Sequence, residues 1–546
     1  MKINNKGKNT NTVVFVSFEN QYAPWGGLSA VMKKLPPIIS KSINTVFLSP
    51  FFQNIKKTQQ SVQEKKLIHS NLTGHVTYKG FKHKIELYES TEFSEYPDFK
   101  IYLIKCDKFF LAGENPYNDT WRFDSLFHDS YFFSKAVPVA LSLIKAKFTP
   151  PYVLNLQDWE TSLVAETMPY NLPNKCVLTL HNPYDEYLID DPEGRTIFEY
   201  TIPKMQGIST VSEHFAHELR NDPLLTEVIC RKLQGHFQYL KPIGINNGNF
   251  VDLEIPPNMR DLKSINTEKL NNRQIFNLIL KESEELLPKW GSKFDLMENN
   301  KPIFLLFGRD DPKQKGLDVA AAAIYRLLKK GGKKVASFIF APIPSTDDLT
   351  SISYLEDLGT EFKENIMIFP FRLAKGYKNL QKAANFIIMP SYYEPFGAAN
   401  EGYASGTPII ARATGGLIQQ VCPLNYDTLP EKIKKYVKWY HPLIKNATGF
   451  LYREDANTET ADNWKYLFST DFSKKRSIQE PVDWRNPLFW SMVTELETTI
   501  EKAVTLYTND KESYYQLILN GFNLFKQFNW EKSAEKYKNH LYKMKK

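Results

Sequence analysis

Cysteine is scarce in this sequence and lies scattered: Cys106, Cys176, Cys230 and Cys422 are the four cysteines among 546 residues. No C-x-x-C pair and no Cys/His ligand spacing occurs, so neither a zinc site nor a disulfide framework is expected. Long hydrophobic runs are missing too. The polar start, MKINNKGKNTNT, runs into Val13-Val14-Phe15-Val16, which is far too short for a signal segment or a membrane span. No other window reaches spanning length. These absences point to a cytoplasmic setting, with a secreted effector bearing an uncleaved or C-terminal signal as the alternative. Charge of one sign is also lacking. A net charge of +8 is small for this length, and the basic residues are interleaved with acids. A nucleic-acid surface is not expected on that balance, whereas a local site for phosphates is.

What is present is a globular composition, 42% hydrophobic and 14% aromatic, in a chain too long for one core. Short apolar runs bounded by turns alternate with helical spacing, the pattern of parallel βα units. Val13–Phe18 reads as a strand, followed by Glu19, a turn holding Gly26 and Gly27, and a helix with Leu28, Val31, Met32 and Leu35 on one face. Bare backbone before a helix N-terminus lets an anion approach the amides, although glycine pairs at such turns also serve purely steric ends. Strands at Tyr152–Leu156, Cys176–Leu180 and Gly207–Val211 end at Asp158, His181 and Ser212. Several strands delivering polar residues to one sheet edge is how an open α/β sheet builds a site.

The second half starts afresh. Ile303–Phe307 is expected as a strand, Gly308-Arg309 and a basic loop lead to Lys315-Gly316, and Leu317 to Leu328 forms a helix. Asn385 to Leu417 then reads as strand, polar turn with Glu394, Gly397 and a small-residue helix carrying Glu401, a further strand, and the pair Gly415-Gly416. The expected domain plan is residues 1–250 as one Rossmann-like domain, 251–296 as a linker, and 297–525 as a second Rossmann-like domain. Residues 526–546 are expected as a helix crossing back to the first, with Asn529 as its N-cap. An amphipathic helix is expected near Arg273–Leu287, one at Ser134–Lys147 after an aromatic run from Phe123, and a solvated lysine-rich end.

In order along nearly the whole chain, these motifs resemble the glycogen and starch synthases, retaining glycosyltransferases of the GT-B fold. Trp25-Gly26-Gly27-Leu28-Ser29-Ala30-Val31 is similar to K-x-G-G-L-x-D-V, Asp158-Trp159 to the end of H-x-H-D-W-H, and Thr179-Leu180-His181-Asn182 to T-I-H-N. Asn247-Gly248 matches the N-G-x-D turn. Gly308-Arg309 with Gln314 to Asp318 resembles S-R-x-x-x-Q-K-G-L-D, and Pro390 to Gly397 resembles P-S-x-x-E-P-x-G. Thr414 to Leu417 is T-G-G-L, and Phe528 to Tyr537 is similar to F-S-W-x-x-S-A-x-x-Y. The resemblance implies two doubly wound domains facing across a cleft. It implies transfer of glucose from ADP- or UDP-glucose to the non-reducing end of an α-1,4-glucan.

By the same resemblance, His181, Arg309, Lys315 and Glu394 are the catalytic set. Gly26, Gly27, Gly397, Glu401, Gly415 and Gly416 hold the donor and its phosphates, while Asp158, Trp159 and Asn247 contact sugar or acceptor. No cofactor is implied. No D-x-D pair occurs, so a metal-bound diphosphate is not suggested. The departures fall at the same places. Pro24 stands where the family has lysine, Asn155 and Gln157 where it has the two histidines, and Glu160 where another histidine follows Trp159. Two alternatives follow: the same chemistry on a surface glycan or a protein, or an inactive relative that binds glucan or nucleotide.

Overall fold

The computed structural model describes residues 11–117, 124–172, 174–253, 261–283, 286–297, 301–331, 335–344, 348–373 and 375–543. Contacts divide the chain into two units. The first holds Met1–Arg220, Ile229–Phe250 and Asn529–Lys546, and the second holds Asn221–Val228 and Val251–Phe528.

In the first unit the strands are β1 (Thr12–Val16), β2 (Asn44–Pro50), β3 (Leu67–Tyr78), β4 (Phe81–Ser90), β5 (Phe99–Lys105), β6 (Tyr152–Gln157), β7 (Asn174–Leu180), β8 (Ile208–Thr210) and β9 (Ile243–Gly244). Among the described residues they form one sheet in the order β3-β4-β5-β2-β1-β6-β7-β8-β9. From β5 to β9 all neighbours pair in parallel, and β4 and β3 close the edge antiparallel. The central strand β1 reads TVVFV and is buried throughout, as a parallel strand covered on both faces must be. The helix Gly27–Ser40 places Leu28, Val31, Met32, Leu35 and Ile39 against this sheet.

The last helix, Trp530–His540, belongs to the same core. Trp530, Ala534 and Tyr537, with Leu541 and Tyr542 beyond it, pack in one cluster with Val13, Phe15, Val153 and Val177. Its N-cap is Asn529, which accepts from the Lys532 amide at 2.9 Å. The Trp530 indole donates to the Asn249 carbonyl at 2.8 Å, and a Cβ on Gly248 would stand 2.6 Å from Trp530. The Asn-Gly turn is thus fitted to this helix.

In the second unit β10 (Trp290–Gly291), β11 (Ile303–Arg309), β12 (Ser337–Ile343), β13 (Ile366–Ile368), β14 (Phe386–Met389), β15 (Ile409–Arg412) and β16 (Gly449–Tyr452) form a sheet ordered β10-β13-β12-β11-β14-β15-β16. Apart from the antiparallel pair of β10 with β13, its described pairings are parallel.

Three expectations need correction. Residues 251–296 do not form a linker where they are described. A helix, Leu262–Glu282 rather than Arg273–Leu287, opens on Asp261 and docks on the second unit. There the Lys269 side-chain nitrogen donates to the Ala384 carbonyl at 2.6 Å and Arg273 to Asn385 at 2.6 Å, and β10 extends the sheet. Buried donors meeting carbonyls are invisible to a reading that takes Lys and Asn for solvent-facing residues. The helix expected at Ser134–Lys147 spans Ser125–Ile144, with Pro138 inside it. Part of the first assigned unit, Asn221–Val228, belongs with the second. Phe123, the start of the expected aromatic run, and Met544–Lys546 of the lysine-rich end lie outside the described residues. No described helix is long and apolar enough to cross a membrane.

Candidate functional site

In the first unit, β1, β6, β7 and β8 are parallel neighbours, so their C-terminal ends lie side by side. Glu19, Asp158, His181 and Ser212 follow those ends. Asp158 sits at φ 56°, a conformation costly for a residue with a Cβ. Its carboxyl accepts the His181 amide at 2.7 Å and the Asn182 side-chain amide at 3.4 Å. Burial beside the negative charge of Glu19 pushes Asp158 up to about 8, against the pull of the His181 and Asn182 backbone amides. Glu160 is raised well above the carboxylate range by burial and by Asp158. One of its oxygens is buried without a hydrogen-bond partner. The Tyr117 hydroxyl, raised by the same burial and charges, donates to Glu19 at 2.9 Å.

Glu19 was not assigned a role from the sequence, and it occupies the glycine turn. One carboxylate oxygen accepts from the amides of Trp25 at 3.1 Å, Gly26 at 2.8 Å and Ser29 at 3.3 Å. The anion at this helix start is therefore the chain's own, where Gly26 was expected to meet a phosphate. A Cβ on Gly27 would meet nothing within 4 Å, so that side of the turn is open. The signal available in the sequence was a carboxylate a few residues ahead of a bare helix start.

His181 is half-buried, and burial lowers its ring to about 3, so the imidazole is neutral in the physiological range. Its Nε2 lies 2.7 Å from the Gln157 side-chain oxygen. Trp159 is buried in the short helix Trp159–Ser162. Asn247 is buried alongside Val211, its amide donating to that carbonyl at 3.2 Å.

In the second unit the end of β11 carries exposed Arg309, and the following loop turns back at Gly316. Gly316 has φ +59°, and a Cβ there would stand 2.3 Å from the Pro390 carbonyl oxygen. Only glycine lets this loop lie on the end of β14. The result is an ion pair: the Lys315 ammonium donates to Glu394 at 2.6 Å, and Ser391 donates to the same carboxylate oxygen at 3.0 Å. The Glu394 carbonyl accepts the Gly416 amide at 2.9 Å. A Cβ on Gly397 would come within 2.6 Å of Leu417, and one on Gly416 within 2.7 Å of the Phe396 Cα. These glycines bring the Glu394 turn against the helix Gly415–Gln420. Glu401 lies in the first turn of the helix Ala399–Ala404, raised by burial and held by Gln381. Lys315, Glu394 and Gly416 are thus brought together; Glu401 has its own surroundings.

Residues 12–205 match the family model described as starch synthase catalytic domain, and residues 266–437 match that of family 4 glycosyltransferases in conflict systems. A glycogen synthase of Hydrogenovibrio crunogenus is 24% identical over 371 residues, covering 61% of this chain and 70% of its own length. A probable glycogen synthase of Methanocaldococcus jannaschii is 24% identical over 518 residues, covering 86% of this chain and 90% of its own. Among solved structures, the catalytic domain of starch synthase IV from Arabidopsis thaliana, bound to ADP and acarbose, superposes with a TM-score of 0.68 at 19% identity. That likeness covers 97% of this chain and 98% of the other, and it shows the fold to be GT-B.

Proposed function

We propose that the chain is a hexosyltransferase of the glycogen and starch synthase family, to which its N-terminal family match and its relatives are similar. From that premise we propose that it moves glucose from ADP- or UDP-glucose to the non-reducing end of an α-1,4-glucan, with retention at the anomeric carbon. The observation that carries this reading is the Lys315–Glu394–Ser391 group at the end of β14, with Arg309 at the end of neighbouring β11. When the anomeric C–O bond breaks, negative charge gathers on the departing diphosphate. Arg309 and Lys315 are the side chains proposed to meet it, so the charge is neutralised by cations of the chain. Glu394 is proposed to hydrogen-bond the sugar, and Glu401 the nucleotide ribose.

His181 is proposed to contact the transferred glucose. A neutral ring suits that place, since it does not oppose positive charge developing at the anomeric carbon. Asp158, protonated at neutral pH, can both donate to and accept from sugar hydroxyls. The acceptor attacks on the face the diphosphate leaves, and the diphosphate takes its proton, so no protein nucleophile is required. The test is release of nucleoside diphosphate from ADP- and UDP-glucose with glycogen or maltooligosaccharide. No turnover with any glucan across a donor panel would overturn the synthase reading.

A second reading keeps the chemistry and changes the acceptor to a surface glycan or a protein. One observation favours it: Glu160 replaces the family's histidine after Trp159 and leaves a buried oxygen unsatisfied. Turnover with such acceptors and none with glucan would select it.

A further inference from the structure

At the end of β6 this chain carries N-x-Q, Asn155 and Gln157, where the resemblance has two histidines. Both side chains are buried, and their hydrogen bonds run in one direction. The Gln157 side-chain nitrogen donates to the Asn155 carbonyl at 3.1 Å and to the Asn155 side-chain oxygen at 2.9 Å. A backbone carbonyl can only accept, so it fixes which end of the Gln157 amide faces Asn155. The Gln157 oxygen is thereby turned to His181, 2.7 Å from Nε2. An amide oxygen can only accept, so the proton of the neutral ring must sit on Nε2.

The far end of the chain of bonds is equally defined. Thr179 donates to the Asn155 side-chain oxygen at 2.8 Å, and the Asn155 nitrogen donates to the Tyr542 hydroxyl at 2.7 Å. Asp158 holds the His181 main chain through its amide at 2.7 Å, which fixes the ring's origin. The other titratable groups around this strand end are Glu19, Glu160 and Tyr117, whose charges bear on Asp158 or on one another.

We infer that Gln157 is a positioning residue that holds His181 in the Nε2–H tautomer and leaves the Nδ1 lone pair to accept from a hydroxyl. This rests on the proposed function for its use, since there the hydroxyl belongs to the transferred sugar. The tautomer itself does not depend on that reading. Sugar hydroxyls are donors as well as acceptors, and a ring offering a lone pair recognises the donor side without bringing charge.

The test is long-range proton–nitrogen NMR on the whole protein with nitrogen-labelled histidine, His181→Asn supplying the assignment. The expected result is a protonated Nε2, a bare Nδ1, and no titration of this ring between about pH 5 and 8. The opposite tautomer, or a ring titrating near its ordinary value, would overturn the inference. Gln157→Glu places a carboxylate on Nε2 and raises the ring's pKa, so the ring is charged below the new value and neutral above it. Glucose transfer should then fall ~10-fold or more at neutral pH and recover as pH rises, in kcat more than in donor KM. Gln157→Met removes the acceptor and should give a mixture of tautomers.

Tyr542→Phe cuts the far end of the relay but leaves the Asn155 carbonyl, so the wild-type tautomer should persist. A merely structural Gln157 predicts lowered melting in its variants with tautomer and pH profile unchanged, and that result sinks the proposal. Full turnover of His181→Asn with the expected NMR result would instead overturn the use of the lone pair in catalysis and leave the relay standing.

Discussion

Two buried acidic clusters, one in each unit, behave oppositely. In the second, Glu454 is fully buried between Arg412 and Arg453. Burial pushes it up, but the two guanidinium groups outweigh burial and hold it down at about 2. In the first, Asp158 and Glu160 are buried beside a further carboxylate, and both are pushed up. A buried carboxyl is thus a fixed anion at Glu454 and a neutral group at Asp158 and Glu160. The difference is what surrounds it: two guanidinium groups in one case and a further carboxylate in the other.

The sharpest way to break this contrast is to remove the compensation. Arg412→Met takes the two-pronged partner from buried Glu454 and leaves it Arg453, which should cost ~3 kcal/mol in the second unit. Denaturant unfolding followed by hydrogen exchange would read it, with the loss confined to second-unit amides. Next in size, Lys315→Ala and Arg309→Ala should each lower turnover by ~10²-fold or more, since a charge contact made to the leaving group is lost. An unchanged rate in steady-state assays would remove those residues from the chemistry.

The third prediction concerns pH, and its sign differs between Asp158 and Glu454. Asp158 has its folded pKa raised to about 8, so its contribution is fully present below the ordinary value of 3.8 and is lost as pH rises through 8. Glu454 has its folded pKa lowered, so its contribution is present above 4.5 and is lost as pH falls toward 2. Between about pH 5 and 8 the contribution of Asp158 should therefore fall while that of Glu454 stays level. Asp158→Asn should flatten the first unit's profile in pH-resolved melting. The smallest effect is expected from Glu19→Gln, which keeps an acceptor for the Trp25, Gly26 and Ser29 amides but removes its charge: about 1 kcal/mol of first-unit stability. A larger loss would mean that the charge, more than the hydrogen bonds, holds the turn.

Much of this architecture was legible because parallel strands announce themselves as short apolar runs. The runs at β1, β6, β7, β11 and β14 lie close to their observed bounds. Glycines were legible as turns, while their reasons were not: Gly316 against Pro390 and Gly416 against Phe396 are contacts between segments distant in sequence. The same holds for the site. Lys315 and Glu394 could be named by residue type and motif, but their ion pair spans 79 positions and only the fold makes it. Glu19 was passed over since a lone acid after a strand says nothing of three amides waiting nearby. The long helix Pro487–Asn509, which packs on the helix Leu317–Gly331, was missed altogether. Its apolar face is spread over 23 residues with no glycine or proline after the first turn to mark it.

The helix Trp530–His540 carries a consequence for how the protein comes into being. Phe15, Val153 and Val177 emerge early in translation, but Trp530, Tyr537 and Tyr542, which cover them, are made after the whole second unit. A nascent first unit therefore waits on the ribosome with an apolar sheet face uncovered while the intervening residues are made. That interval is when chaperones would be most needed and when aggregation would be most probable in kinetic terms. A chain halted before residue 530 should thus be a chaperone client even though every strand of its first sheet is already present.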